Sequence, residues 1–140
     1  MTTLHTIIYL SSATEIIDVE IARQSIIRNR EYNKLNGITS LAVFAQGNIL
    51  AMMEGERDVI LKAYRQNMNG HHHGFLKLYD KPVQSRCFED FPLAIKVVNM
   101  DEWRSLDDFK EEYMREYFEE CINLDAPTMK IVKDFIKNNV

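Results

Sequence analysis

The sequence contains few of the residues that mark several common protein classes. Two cysteines in 140 residues exclude a disulfide scaffold and are too few for a zinc cluster, so we expect reduced thiols at Cys87 and Cys121. Five glycines and three prolines exclude collagen-like and low-complexity chains. The longest apolar runs are about four residues, far short of the roughly 20 that a membrane-spanning helix needs. With no secretory signal visible at Met1–Leu10, we expect a soluble, cytoplasmic protein.

The remaining composition is that of an ordinary globular protein. Hydrophobic residues make up 46% and charged residues 27% of the chain. A chain of this length can bury about 68–70% of its unfolded surface, which is enough for a core of its own. We expect one compact unit, with a main domain over residues 1–100 and a helical extension over residues 101–140.

Charge is distributed unevenly along the chain. The net charge is −4, which argues against nucleic acid as a partner. Residues 101–125 hold ten acidic and three basic residues, a net charge of −7. The remainder holds eleven acidic and fourteen basic residues, a net charge of +3. An acidic C-terminal element is therefore expected beside a mildly basic body.

Hydrophobic patterning predicts seven elements before the tail, in the order strand, helix, strand, strand, helix, strand, strand. The predicted strands are Leu4–Leu10, Ile38–Phe44, Asn48–Glu54, Phe75–Tyr79 and Leu93–Val98, and the predicted helices run from Asp18 to about Leu35 and from Arg57 to Met68. Asn36-Gly37 and Asn69-Gly70 supply helix stops, and Ala45-Gln46-Gly47 is typical of a hairpin.

This order predicts a ferredoxin-like α/β (α+β) sandwich, β-α-β-β-α-β-β. Strand–helix–strand units require crossovers and favour parallel pairs, whereas the hairpin is antiparallel, so the five-stranded sheet should be mixed. Both helices should cover one face of the sheet. Pro82 and Pro92 indicate non-central strand positions.

Two C-terminal helices are expected to cover the other face or to bind a partner. Apolar residues recur at helical spacing at Trp103, Leu106, Phe109, Tyr113, Tyr117 and Cys121, and Ser105 and Asp108 have the spacing of a capping box. A final helix should begin near Asp125, with Pro127 in its first turn and an apolar stripe of Met129, Val132, Phe135 and Ile136. The surface most suited to a second copy or a downstream protein is formed by Trp103, Phe109, Tyr113 and Tyr117.

Chemistry-bearing motifs are scarce. No glycine-rich phosphate loop or nucleophile with a base partner is visible, so we do not expect an enzyme. The run His71-His72-His73 predicts a solvated turn, because three adjacent loop side chains cannot converge on one metal ion. Asn33 is either a surface amide or a binding amide, and Tyr9 is by default a core tyrosine with a bonded hydroxyl.

Three segments resemble the BLUF family of flavin-dependent blue-light sensors: LHTIIYLSSAT at the start of the chain, Asn33–Glu56, and Pro82–Leu93 with Arg86 and Phe88. The resemblance implies FAD or another flavin between the two helices. It assigns Tyr9 as electron donor and Asn33 as the amide on the ring edge. It implies that Ile26 and Ile27 form an apolar wall and that Leu93 lies at the fifth-strand position beside the flavin.

The match to the family is uneven. Ala51 occupies the position of a glutamine that links the tyrosine hydroxyl to the flavin, and a methyl group cannot donate or accept a hydrogen bond. Further departures are Ser25 and Asn67 at the stacking positions, Tyr32, Gly70 and His72 around the rim, and Phe91 and Leu93 near the fifth strand. The sequence therefore predicts a flavin sensory protein that acts through protein–protein interaction, with Ala51 arguing against a normal photocycle. The alternative is a cofactor-free interaction or oligomerisation module.

Overall fold

A computed structural model describes residues 3–13, 18–67 and 72–140 of the chain. Within these ranges lie five strands, four α-helices and one 3₁₀ helix. The strands are β1 (Leu4–Ala13), β2 (Thr39–Ala45), β3 (Asn48–Glu56), β4 (His72–Pro82) and β5 (Ala94–Val97). The helices are α1 (Val19–Leu35), α2 (Arg57–Asn67), the 3₁₀ helix (Asp101–Leu106), α3 (Glu112–Ile122) and α4 (Pro127–Asn138).

Helix α1 begins and ends where its sequence predicts. The Asp18 carboxylate accepts a hydrogen bond from the backbone N–H of Glu20 at 2.7 Å, which satisfies one of the free donors of the first turn. After Leu35 the chain turns through Gly37, whose φ of +67° lies in the left-handed region that glycine tolerates. The predicted stop at Asn69-Gly70 after α2 lies outside the described residues.

The sheet is mixed, as predicted, but its parallel pair is not formed by the two strands of a strand–helix–strand unit. The strand order is β4-β1-β3-β2-β5, and the only parallel neighbours in this described sheet are β2 and β5. Each crossover helix joins strands of one direction that are separated by a third strand, since β3 lies between β1 and β2, and β1 lies between β3 and β4. Pro82 ends β4 and Pro92 precedes β5, and these are the two edge strands, in agreement with the sequence.

Side chains alternate between the two faces of the sheet. On one face, Ile7 and Tyr9 of β1 pack with Ile60 and Tyr64 of α2. Helix α1 lies over the same face, where Ile26 packs with residues of β2 and β5. The prediction that both helices cover one face of the sheet is confirmed.

The opposite face is covered by the C-terminal helices. Ile8 of β1 shares a core with Phe118 of α3 and with Met129 and Val132 of α4. Both α4 residues have no exposed surface. Helix α4 begins at Pro127, which stands in the first turn as predicted. The main domain and its extension thus share one hydrophobic core.

The predicted single stripe from Trp103 to Cys121 is wrong. The chain forms a 3₁₀ helix, then an irregular stretch over 107–111, and only then α3. Trp103 packs against Phe44 on the α1 side of the sheet, with ring centroids 5.5 Å apart, whereas Phe109 is buried on the α3 side. The tail therefore wraps around the sheet edge, and Tyr113 is 73% exposed.

Two aspartates explain why the predicted helix is interrupted between the 3₁₀ helix and α3. Asp107 accepts hydrogen bonds from the backbone N–H groups of Val97, at 3.2 Å, and Phe109, at 2.6 Å. Asp108 accepts from the N–H of Ile95 at 2.8 Å and pairs with Arg30 of α1, so the predicted capping box with Ser105 does not form. The carboxylates occupy donors on the outer edge of β5, which protects an edge strand that would otherwise be open.

No described helix is long and apolar enough to cross a membrane. His71 and its side chain lie outside the description, but His72 and His73 begin β4 rather than forming the predicted turn. Within the described part of the chain, no group of three or more metal-ligating side chains comes together. Cys87 and Cys121 are free thiols, and burial raises the pKa of Cys87 to about 11.

Candidate functional site

A cleft of about 620 Å³ opens between α1 and α2 above the sheet. Its volume falls within the range of about 300–1,000 Å³ that is typical of small-molecule sites. All five residues that the sequence predicts as cofactor contacts line it: Tyr9, Ile26, Asn33, Ala51 and Leu93. Their role in binding remains a prediction.

The floor of the cleft is a row of side chains that crosses four strands. Tyr9 of β1 lies opposite Ala51 of β3, Ala51 lies opposite Ala42 of β2, and Ala42 pairs with Ile95 of β5. The two alanines fill little space, so the floor is lowest at the centre of the sheet. A flat ligand lying on this row would contact a phenol at one end and an isoleucine at the other.

Asn33 is a buried amide whose hydrogen bonds restrict what it can offer a ligand. It lies in the last turn of α1, and its Nδ2 donates to the Pro92 carbonyl at 2.8 Å and to Ser40 Oγ at 3.1 Å. Ser40 Oγ donates to the same carbonyl at 2.7 Å. Because a carbonyl only accepts, the amide nitrogen rather than Oδ1 faces Pro92, and the orientation of the amide is set. Within the described part of the chain Oδ1 has no hydrogen-bond partner, so it can accept from a ligand in the cleft.

Tyr9 lies at the α2 side of the cleft and is 6% exposed. Its hydroxyl accepts a hydrogen bond from Asn67 Nδ2 at 3.0 Å. The rings of Tyr64 and Phe75 flank it, with centroids 5.0 and 5.8 Å from its own. Desolvation raises the pKa of Tyr9 to about 12, although the bond from Asn67 lowers it in part. The phenol is therefore neutral at physiological pH.

The walls combine apolar and polar side chains. Ile26 faces the cleft from α1, but Ile27 is 54% exposed and does not line it, so the prediction of a two-isoleucine wall is wrong. The cause is helical geometry, because consecutive residues point about 100° apart. Ser25 from α1 and Asn67 from α2 both line the cleft, which places polar groups on both sides.

The segment before β5 divides between the two faces of the sheet. Leu93 lines the cleft, whereas Phe91 packs against Phe109 and Tyr117 on the opposite face, with ring centroids 5.9 and 5.4 Å away. The backbone N–H of Ser40 donates to the Phe91 carbonyl at 3.1 Å. Phe91 therefore does not reach the cleft, contrary to its assigned place beside Leu93.

The rim carries groups that sequence reasoning did not single out. Arg28 and Asn29 of α1 and Gln66 of α2 line the mouth, together with Tyr32. Of the other rim positions, Gly70 lies outside the described residues, and nothing is described of the His72 side chain. The i, i+3 and i+4 spacing of Ser25, Arg28 and Asn29 on α1 is the signal that could have identified them.

Glu54 and Arg86, from the segments that resemble the BLUF family, make hydrogen bonds that stabilise the structure beneath the cleft floor. Glu54 is 1% exposed and accepts from the backbone N–H groups of Cys87, at 2.5 Å, and Phe88, at 3.0 Å. Arg86 donates to the Glu54 carbonyl at 3.1 Å and to the Gly37 carbonyl at 2.8 Å. Desolvation raises the pKa of Glu54, and the bonds to its carboxylate lower it in part. These contacts hold the loop that leads to Leu93.

The model of the family described as "Sensors of blue-light using FAD" matches residues 4–94, which contain the cleft floor except Ile95. This chain belongs to the BLUF family. The match covers more than half of the chain and includes six of the seven elements that the sequence predicts before the tail, together with the first two residues of the seventh. No curated protein sequence matches the chain.

Solved structures of other proteins, among them the BLUF protein BlrB, share the fold. BlrB in its dark state has a TM-score of 0.68 and 20% identity, covering 87% of this chain and 96% of that chain. BlrP1 of Klebsiella pneumoniae, in a manganese and cy-diGMP complex, has a TM-score of 0.76 and 17% identity, covering 96% of this chain. A bacterial light-regulated adenylyl cyclase has a TM-score of 0.68, 15% identity and 96% coverage of this chain. This chain spans about a third of those two longer proteins, 33% and 34% of their lengths.

The cleft of this BLUF chain fits a flavin in volume and in part of its chemistry. Ile26, Leu93 and Ile95 offer apolar contact, and Asn33 Oδ1 offers an acceptor for an N–H group on the ring edge. BLUF domains are sensory rather than catalytic. The chemistry that does not fit is at Ala51, which has no polar atom beyond its backbone.

Proposed function

We propose that this chain is a flavin-binding sensory domain that passes its signal to another protein surface. The observation that supports this most is the joint placement of Tyr9, Asn33 and Leu93 in one cleft between α1 and α2. The flavin, FAD or a smaller form, would supply the absorption of blue light. Asn33 Oδ1 would accept from the ring edge, and Ile26 with Leu93 would exclude water from its faces.

The cleft provides less apolar contact than the two faces of a flavin ring could bury. Ser25 and Asn67 replace side chains that would each contribute about 1.5–3 kcal/mol of buried apolar contact. Their loss together corresponds to a factor of about hundreds or more in affinity. We expect weak flavin binding that is retained only in part during purification.

An absorbance spectrum of freshly purified protein, before and after addition of excess riboflavin, tests this proposal. Ala51→Phe fills the lowest part of the floor and should abolish binding, whereas Leu35→Phe, at a position that is 77% exposed, should not. Far-UV circular dichroism of both variants checks that the fold is kept. Equal binding by the two variants, or no binding by the parent chain at saturating riboflavin, would refute a flavin site in this cleft.

We further propose that any bound flavin lacks the normal photocycle. Ala51 lies opposite Tyr9, at the place where a glutamine would join the phenol to the ring. Ala51→Gln alone should not restore a complete light-induced red shift, because Asn67 already bonds Tyr9 and the polar walls persist. Difference spectra under blue light give the result. Full recovery from that single substitution would show that Ala51 is the sole defect.

The surface that we propose for signal output includes fewer residues than the four aromatic residues predicted from the sequence. Phe109 is 1% exposed, and Trp103 packs against Phe44 on the α1 side of the sheet, away from α3, so neither forms one surface with Tyr113. Tyr113 is 73% exposed on α3, among acidic residues. A homo-oligomer or downstream protein would therefore contact Tyr113, with the half-buried Tyr117 at its edge.

Size-exclusion chromatography with light scattering tests the homo-oligomer. Tyr113→Ser should shift the chain toward monomer without changing its stability, whereas Leu124→Ser, at a position 51% exposed beyond α3, serves as the control. A monomeric parent chain, or equal behaviour of both variants, would exclude self-association through Tyr113.

A cytoplasmic location stays a prediction.

A second candidate function is a BLUF-type interaction module without cofactor. It is favoured by the Asn67–Tyr9 hydrogen bond, because this bond gives the buried phenol oxygen a partner without any ligand. The two functions differ in the riboflavin experiment: the module would show no saturable binding and yet self-associate through Tyr113.

A further inference from the structure

The buried hydroxyl of Tyr9 has a partner on a different element from the one that the family resemblance implies. Tyr9 and Ala51 are directly opposite on β1 and β3, but the alanine methyl cannot bond the phenol. Instead, Asn67 at the end of α2 donates from Nδ2 to the Tyr9 hydroxyl at 3.0 Å. A carboxamide is thus present at the phenol, but it comes from the helix above the sheet.

Because neighbouring rings pack against the Tyr9 ring, the orientation of its hydroxyl group depends on the hydrogen bond from Asn67. Tyr64 meets the Tyr9 ring edge-on at 5.0 Å, and Phe75 lies against it at 5.8 Å, so the ring is held on both sides. A hydroxyl has one donor hydrogen and two acceptor sites. When Asn67 donates to the oxygen, the hydroxyl hydrogen stays available for a second group.

We propose that Asn67 is the positioning residue of Tyr9: it holds the phenol oxygen as an acceptor and directs the hydroxyl hydrogen into the cleft, toward a carbonyl on a bound ligand. Only the identity of that ligand rests on the proposed flavin function. The complementary site is Asn33 Oδ1, which accepts. The cleft therefore selects a planar ring with a carbonyl toward Tyr9 and an N–H toward Asn33.

The pair can be tested in protein without flavin. A fluorotyrosine placed at position 9 reports its own ionisation through its ¹⁹F resonance. Asn67→Leu should raise the titration midpoint by roughly 0.7 pH unit, since one donated hydrogen bond to the phenolate is lost. Asn67→Gln keeps the carboxamide and should recover at least half of that shift. Gln66→Leu, at the neighbouring cleft residue, should leave the midpoint in place.

A second measurement tests the direction of the hydroxyl hydrogen. Asn67→Asp places a carboxylate at the phenol, which takes the hydroxyl hydrogen away from the cleft. Riboflavin affinity should then fall by about 5–10-fold, as it should in Tyr9→Phe, whereas Asn67→Leu restores an apolar side chain at this stacking position and should not lower the affinity. Equal affinities of the Asp and Leu variants would overturn the assigned direction.

The outcomes separate this inference from the proposed function. An unchanged midpoint in Asn67→Leu, or an equal shift in Gln66→Leu, overturns the positioning role even if riboflavin binds. The expected shifts without any riboflavin binding support the role of Asn67 toward Tyr9 and refute the flavin site.

Discussion

Replacement of Asp107 by alanine should destabilise the protein far more than a turn residue normally does. Its side chain reaches two backbone N–H groups, those of Val97 on β5 and of Phe109, and the residue is only 9% exposed. Each buried N–H left without a partner costs about 1–3 kcal/mol. We therefore expect Asp107→Ala to lower the free energy of unfolding by about 2–5 kcal/mol, a large part of the roughly 5–15 kcal/mol of a typical domain.

Urea unfolding followed by far-UV circular dichroism and by the fluorescence of the single tryptophan gives this difference. Trp103 lies in the 3₁₀ helix just before Asp107, so its emission also reports whether that helix stays packed on Phe44. Asp101→Ala is the matched control, because its carboxylate is 87% exposed and pairs only with Arg104, so its effect should stay within about 0.5 kcal/mol. A loss below about 1 kcal/mol in Asp107→Ala would refute the idea that these aspartates secure the edge of β5.

Two further predictions concern the stability of the fold. Hydrogen bonds from Lys77 and His5 lower the pKa of Asp80, so its stabilising contribution is present above the unfolded value of about 3.9 and is lost as pH falls through the folded value. Asp80→Asn should flatten the dependence of the urea midpoint on pH below about pH 4, and an unchanged acid profile would contradict this sign. Met129→Ala removes a side chain with no exposed surface and should cost about 2–5 kcal/mol, measured by thermal unfolding. Lys130→Ala, on the exposed face of the same helix, is its control, and similar losses in both would show that α4 does not contribute to the core as described.

The site was predictable wherever a side chain acts through its position in a strand or helix. Tyr9 and Ala51 reach the cleft because alternate strand positions face one side of the sheet, and Leu93, just before β5, lies two residues from Ile95 on the same side. The sequence could not show that the Asn33 amide nitrogen donates to the Pro92 carbonyl, because that carbonyl lies 59 residues away. It also could not show the bond from Asn67 to Tyr9, which joins residues 58 apart in the chain.

The sequence by itself determined the element order, the limits of α1 and the family. Hydrophobic period, helix caps and turn glycines are local signals, and they act within a few residues of one another. The tertiary structure alone decided the path of the tail. The spacing from Trp103 to Cys121 suits one helix, but Asp107 and Asp108 bind the free edge of β5 instead. Such long-range hydrogen bonds satisfy buried donors that only the assembled sheet creates, and for that reason no pattern within the tail could reveal them.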